Sequence, residues 1–450
     1  MKVQRDGRMV TVTVAADGDD QTVNHVGAAL LGECAQQTGL AGALSAAVGR
    51  LRVRQGRHDP GRTLLDLAVV IADGGRSVAD LRVVREQGAL FGPVASDATA
   101  WRTVMQAAEL GLLDQVRAAR ARARQRAWQA GAAPAAGPLI IDIDATLITT
   151  HTEKDGTAGT FRGGWGFAPL LAFLDGTREP LAAKLRPGNA PAHTAADHIE
   201  VLALALEQIP DAERAARPVL VRCDSGGQTH AFTAFCAQAG LAFAVTLNHY
   251  PALAEAIAAV AERAWTPAVD DDGAPRENGH VVEVTDALDL SVWPEGSRVI
   301  VRRERPHPGA QLRLADTDGF RYQAILTTQT GTDIAAIERT HRQRGRCEQR
   351  VAALKDTGAR NLPFGDQAAN TLWLELCLIA GELICWTQHL ALDGELAVCE
   401  PRTLRYRLLH TAGRLAFHAR TARLRIPRSW PWAGDLAAAF GRLAALPAAA

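Results

Sequence analysis

The chain has 450 residues, 47% of them apolar and 22% charged, and its 49 basic and 49 acidic side chains give a formal net charge of +0. Such length and apolar content exclude a disordered chain and allow two or three packed units. Neutrality excludes a uniformly basic nucleic-acid coat, so any surface for a polyanion has to be local. The 7 cysteines form no Cys-x-x-Cys pair, which fits thiols in a reducing compartment, and no structural metal is expected. The first twenty residues lack an apolar signal core and no run of eighteen apolar residues occurs. We therefore expect no leader, no membrane span and a cytoplasmic location.

In chain order, residues 1–130 read as a helical region. HVGAALLGECAQQTG, GALSAAVGRL, RTLLDLAVVIADG and RSVADLRVVREQGAL are apolar-periodic pieces split by short breaks. SDATAWRTVMQAAELG begins with Ser96 or Asp97 as N-cap and carries Thr99 and Arg102 on its first turns. The pattern suits helix-turn-helix packing against DNA. Arg50, Arg52, Arg54, Arg57 and Arg62 form one basic cluster, and Arg117, Arg120, Arg122, Arg124 and Arg126 a second. Each is either a solvated helix face or part of a polyanion surface. QAGAAPAAGP, 129–138, is a break.

From 137 to 250 the period changes. PLIIDIDATLITTH is a buried strand in which Asp142 and Asp144, two apart, project from one face. FRGGWGFAPLLAFLDG and REPLAAKLRPGNAPAH supply further strands, TAADHIEVLALALEQI a helix, and PVLVRCDSGG a strand ending in Asp224. QTHAFTAFCAQAG and FAVTLNH add a helix and a strand, so the order describes an α/β fold with a mixed sheet flanked by helices. Residues 251–330 (HVVEVTDALDL, SRVIVRRERPHP, QLRLAD, FRYQAILTTQ) read as a β-rich insertion.

Residues 331–390 hold HRQRGRCEQRVAALK, with one of the chain's four lysines. On a continuous helix His341, Arg344, Glu348 and Lys355 fall at about +20°, −40°, 0° and −20°, an acid framed by basic donors. NLPFGDQAANTLWLELCLIAGELICWTQHLAL is an apolar helix expected to cover the sheet, with Asp366, Glu375 and Glu382 as capping or surface residues. Residues 391–450 read as an Arg-rich helical region: 401–434 carries eight arginines, no acid, and Tyr406, Trp430 and Trp432. Arg405 and Arg407 there are expected to contact phosphates.

His341-x2-Arg344-x3-Glu348-x6-Lys355 resembles the Tyr-x2-Arg-x3-Glu-x6-Lys signature of cut-and-paste transposases of bacterial insertion sequences, which have a DDE, ribonuclease-H-like core. Asp144-Ala-Thr146 and Val-Arg222-Cys-Asp224-Ser225-Gly226 resemble that group's first two acid motifs. The resemblance spans about 137 to 435, and the length suits the branch numbered 1380. It departs at His341, where the family has tyrosine. It implies Asp144, Asp224 and Glu348 as catalytic metal ligands, with two Mg²⁺, or Mn²⁺, stabilising charge on the entering and leaving oxygens. It implies His341, Arg344 and Lys355 against DNA, and the β-rich insertion holding a DNA end, with Trp293 tried as a stacking wedge. The implied partners are double-stranded DNA with terminal inverted repeats and a target duplex, engaged by a homodimer on paired ends at the bacterial nucleoid. The first ligand can be read as Asp142 or Asp144.

Two other readings compete. LIIDIDATL also fits the Asp-x-Asp-x-Thr motif of haloacid-dehalogenase-like phosphatases, with Asp142 as nucleophile and Asp144 as general acid. A repressor would use the arginines and helices but leave the acids without a role.

Overall fold

The computed structural model describes residues 2–5, 8–11, 22–52, 57–306, 309, 316, 319–418 and 421–447. Arg54 and most of QLRLAD lie outside these residues. Residues 28–127 hold helices α1 Ala28–Gln37, α2 Leu40–Ala47, α3 Pro60–Ala72, α4 Asp97–Glu109 and α5 Leu113–Ala127, but the region expected to be helical from residue 1 opens on strands, Lys2–Arg5 paired with Arg8–Thr11. Asp59 caps α3 ahead of Pro60, and Ser96 caps α4 by accepting from the Thr99 amide at 3.3 Å. These helices are not detached. α1, α3, α4 and α5 all pack on one 25-residue helix, Gln367–Ala391. By length and composition that helix passes for a membrane span, but 83% of its apolar window is buried inside the protein.

The α5 arginines bring a correction. Arg117, Arg120 and Arg124 stand at i, i+3 and i+7, a single stripe that faces inward. Glu375 and Glu382, expected at the surface, are 2% and 0% exposed and meet that stripe. Arg120 donates to Glu382 at 3.1 Å and pairs with Glu375, while Arg124 donates to Glu179 at 3.0 Å and pairs with Glu382. Glu179 also accepts from the indoles of Trp128 at 3.0 Å and Trp386 at 2.6 Å. Arg120 and Arg124 further donate to the Pro180 carbonyl, tying the helices to the sheet edge. Of the five arginines in this cluster, Arg117, Arg120 and Arg124 are thus spent on the interior, beside small Ala119 and Ala123, while Arg122 stays exposed.

The sheet has nine strands: β1 Leu139–Ala145, β2 Leu170–Leu174, β3 Pro180–Lys184, β4 Val219–Cys223, β5 Ala242–Leu247, β6 Thr266–Val269, β7 Pro275–Glu283, β8 Arg298–Glu304 and β9 Arg321–Thr327. Its order is β6-β7-β8-β9-β5-β4-β1-β2-β3. β1, β2 and β3 are successively antiparallel, β4 runs parallel to β1, and β5 parallel to β4. β2 and β4 are buried at every residue, as strands covered on both faces must be. Between β3 and β4 lies α6, Ala195–Gln208, and between β4 and β5 lies α7, His230–Gln238. The β-rich segment does not stand apart: β6 to β9 extend the same sheet from β5 by antiparallel pairing.

Helices α8, Ile334–Arg342, and α9, Arg346–Leu354, then lead to α10, Gln367–Ala391, and finally α11, Ala433–Ala444. Asp366 caps α10, as expected. The C-terminal region is not wholly helical. Gly413–His418 and Thr421–Arg425 form a hairpin that pairs with Thr22–Val23. The alternation in GRLAFH and TARLR has the period of a strand, which the density of arginine disguised.

Glu382→Ala leaves two guanidiniums in the interior with one partner fewer, and should cost about 3–5 kcal/mol of stability. Urea denaturation of parent and variant measures it, and an unchanged midpoint would contradict this account.

Candidate active site

The chain places Asp144 at the end of β1 and Asp224 just past the end of β4. The two strands are in parallel register, Asp142 opposite Arg222 and Ile143 opposite Cys223. One further step brings Asp144 level with Asp224, outside the carboxyl ends of adjacent parallel strands, where open α/β sheets bind ligands. Asp224 begins a tight turn, and its Oδ1 accepts from the Gly226 amide at 2.8 Å. Gly226 is needed there, because a Cβ would stand 2.9 Å from that Oδ1 and 3.0 Å from the Ala192 carbonyl oxygen.

A buried clamp holds these strands to the helix that carries the third acid. Asp142 is 0% exposed; it accepts from Arg222 at 2.7 and 2.8 Å and from Arg350 at 2.6 Å. Arg350 also pairs with Asp175, just after β2, and Arg222 donates to the Thr340 carbonyl in α8. Asp142 lies two residues before Asp144, Arg222 two before Asp224, and Arg350 two after Glu348. Alternation along β1 and β4 puts each clamp residue on the same sheet face as its acid.

Glu348 lies in the first turn of α9, exposed, and has no ion-pair partner among the described residues. Its charge nonetheless reaches Asp144. Burial raises the Asp144 carboxyl, Arg344 opposes that, and the like charges of Asp224 and Glu348 add to it, giving a pKa of about 6 against an ordinary 3.8. Arg344 Nη1 approaches Asp144 Oδ2 at 3.7 Å and makes no hydrogen bond. Burial works against the Arg344 charge, but Asp144 and Asp224 more than offset it. The three acids remote in sequence therefore share one electrostatic neighbourhood with a single guanidinium among them.

The basic frame departs from expectation. His341, Arg344, Glu348 and Lys355 do not lie on one straight helix, because α8 ends at Arg342 and a tight turn, Gln343–Gly345, precedes α9. Gly345 weakens helix continuity at that point. His341 is 3% exposed and faces Thr246 of β5 at 3.1 Å, so it does not present itself to DNA. Burial, then Arg344, Arg222 and Arg302, push its pKa down to about 3, leaving a neutral ring under α8. Lys355 ends α9 and donates to the Leu147 carbonyl at 3.0 Å, three residues beyond Asp144. Burial and the charges of Arg360 and Arg162 lower its pKa. Phe161, beside Arg162, is 83% exposed on the loop after β1.

Three other expected DNA contacts stand elsewhere. Arg405 is buried and donates to the carbonyls of Ala72 at 2.8 Å and Asp356 at 2.9 Å, so it braces α3 against the chain beyond Lys355 and is not free for phosphate. Arg407 pairs with Glu395 at 2.9 Å and lies over Trp432. Trp293, in the β7–β8 loop, is half-buried with its ring 4.2 Å from that of His230. Sequence reasoning missed Arg350 and Asp175 altogether. The matching two-residue offset of Arg222 and Arg350 from the acids was the signal available. Asp142, fully buried between two arginines, is unavailable as a nucleophile or as the first metal ligand.

A family model described as transposase DDE domain group 1 matches residues 4–448. No curated protein matches the chain. Among solved structures, a cryo-EM structure of piggyBac transposase in a synaptic complex with hairpin DNA is similar at 9% identity, with a TM-score of 0.43, covering 85% of this chain and 80% of that one.

The two aspartates of β1 should respond oppositely to amidation. The folded-state pKa of Asp144 lies above its unfolded value, so the penalty for ionising it is absent below about pH 4, grows as pH rises through the window to about 6, and is complete above it. Without divalent metal, Asp144→Asn should therefore stabilise the protein by about 1–3 kcal/mol at pH 7 and by little at pH 4. Asp142→Asn should destabilise it by about 3–5 kcal/mol by stranding Arg222 and Arg350. Urea titrations at the two pH values check both signs.

Proposed function

Starting from a chain that belongs to the transposase DDE domain group 1 family, we propose that Asp144, Asp224 and Glu348 form the acid site at which this DNA transposase cuts element ends and joins them to target DNA. The observation that carries this reading is geometric: parallel register sets Asp144 beside Asp224, and Asp142, two residues before Asp144, binds Arg350, two residues after Glu348. The central order β3-β2-β1-β4-β5, three antiparallel strands followed by two parallel to the first, supports a ribonuclease-H-like core. The Arg344, Glu348 and Lys355 spacing supports a bacterial insertion-sequence origin, in the branch numbered 1380.

DDE transposases use divalent metal ions, and the donor set here suits them: carboxylate oxygens only, an excess of negative charge, and an exposed Glu348 with no ion-pair partner among the described residues. Asp144, Asp224 and Glu348 would hold two Mg²⁺ or Mn²⁺, which stabilise charge on the scissile phosphate and on the entering and leaving oxygens. The protein's part is placement. Asp144 and Asp224 are fixed by strand register, and Glu348 by the Arg350 anchor one half-turn along α9. Arg344, facing the acids, is positioned to bind a phosphate oxygen once metal charge replaces its own beside Asp144. Lys355 supplies a point charge and Arg162 a planar fork for the flanking backbone, and Phe161 an exposed face for a base. The partners are double-stranded DNA carrying the element's terminal inverted repeats and a target duplex. A dimer on paired ends provides one acid site for each end, and the protein works wherever that DNA is, the nucleoid of a bacterial cytoplasm.

Glu348→Gln tests the assignment. On a duplex bearing the element's end and with Mg²⁺, the variant should bind as the parent does while nicking falls by several powers of ten. Parent-like cleavage would remove Glu348 from the site, and hydrolysis of small phosphomonoesters in place of nicking would restore the phosphatase reading.

A further inference from the structure

His25 and His410 lie 385 positions apart and meet at one buried carboxylate. His25 Nδ1 is 2.5 Å from Asp73 Oδ2, and His410 Nε2 is 3.4 Å from Asp73 Oδ1 and 2.9 Å from the Asp73 carbonyl oxygen. The imidazole centroids are 4.7 Å apart. Among the described residues this is the one group of three ligand-type side chains whose donor atoms all lie within 4.8 Å of one another. The Asp73 side chain is 4% exposed, and its Oδ1 accepts no hydrogen bond. His25 has φ +54°, a left-handed conformation rare outside glycine, which turns its ring toward Asp73.

We propose that His25, Asp73 and His410 form a binding site for a divalent transition ion, zinc in class, separate from the acid site. Two imidazoles and one carboxylate are a donor set for zinc-like ions and not for magnesium. Tetrahedral ligands about 2.0–2.1 Å from such an ion stand roughly 3.3 Å apart; His410 Nε2 and Asp73 Oδ1 stand at 3.4 Å, whereas His25 Nδ1 and Asp73 Oδ2, at 2.5 Å, must open to admit the ion. Imidazole and carboxylate ligands bind such an ion only when deprotonated, so binding releases protons and weakens as pH falls. The Arg405 guanidinium, whose charge bears on both Asp73 and His410, opposes a second cation and limits affinity. Expecting no structural metal rested on cysteine spacing, and these ligands are histidines from the two ends of the chain.

The site lies where the ends of the chain are joined. The Val26 amide donates to the Thr411 carbonyl at 2.9 Å, and Thr22–Val23 pairs with the strand that starts at Gly413. A bound ion therefore closes the whole catalytic region into a loop and stabilises it by mass action.

The test uses the full chain, stripped with chelator and carrying Asp144→Asn so that the acid site competes less. Titration with Co²⁺, a spectroscopic stand-in for zinc, should give one equivalent with the visible absorption of a tetrahedral site, displaced by Zn²⁺. His410→Gln, at a half-exposed residue that tolerates replacement, should weaken binding at least tenfold. Adding His25→Asn, which accepts the left-handed backbone, should abolish the absorption band. Zn²⁺ should raise the thermal midpoint of the parent by about 3 °C or more and leave that of His410→Gln unmoved. Absence of Co²⁺ binding by the parent, or equal affinity and spectrum in His410→Gln, overturns the proposal.

Discussion

Everything at the acid site depends on the Asp142 carboxyl group being held in the interior between the guanidiniums of Arg222 and Arg350. Taking such charges out of water is costly, and the arrangement holds only because both Asp142 oxygens and both guanidiniums have partners, Asp175 and the Thr340 carbonyl included. A fully satisfied charged network has one low-energy geometry, whereas an apolar contact in its place would tolerate sliding of strand or helix. The clamp joins β1, β4 and α9, the three elements that carry Asp144, Asp224 and Glu348, at the same two-residue remove from each. Binding energy unavailable to any ligand thereby fixes where the ligand-facing acids stand.

The same economy governs the rest of the charge. The chain is neutral, and much of its arginine is consumed inside: Arg120 and Arg124 by Glu179, Glu375 and Glu382, Arg405 by main-chain carbonyls, Arg303 by Glu262 and the Trp265 ring. Counting basic residues along the sequence therefore overstates the positive surface. Arginine suits this interior role because its planar fork satisfies several acceptors at once, and α5 uses it where an ordinary core helix would use leucine.

The parts of the fold that were legible in the sequence are those set by local periodicity. The β1 and β4 strands with their terminal acids, the helical N-terminal region, the Ser96 and Asp366 caps and the apolar α10 all follow from period and capping. What escaped was decided by partners far away. Arg117, Arg120 and Arg124 look like a solvated face until Glu375 and Glu382, some 255 positions on, are brought against them. Asp142 and Asp144 are equivalent on the strand; Arg222 and the arrival of Arg350 from α9 engage Asp142 fully, while Asp144 has Arg344 at 3.7 Å without a hydrogen bond. The helical-wheel argument for His341 to Lys355 assumed one uniform α-helix, whereas a 3-10 turn at Gln343–Gly345 interrupts it and His341 is buried. The β6 to β9 strands were legible as strands, whereas their union with the core sheet was not, because edge pairing leaves no periodic mark on sequence.

That union sets a dimension. At about 4.8 Å between neighbouring strands, the five steps from β4 to β6 span roughly 24 Å, close to twice the width of a major groove. The acids therefore sit off-centre on a floor that runs much farther to one side than the other. Under the proposed reading, a rod-like polymer cut at Asp144 would have an extended shelf of sheet on one side and, toward β3, only the width of two strands on the other. Asymmetry of this kind would give a bound duplex a polarity before any base is read.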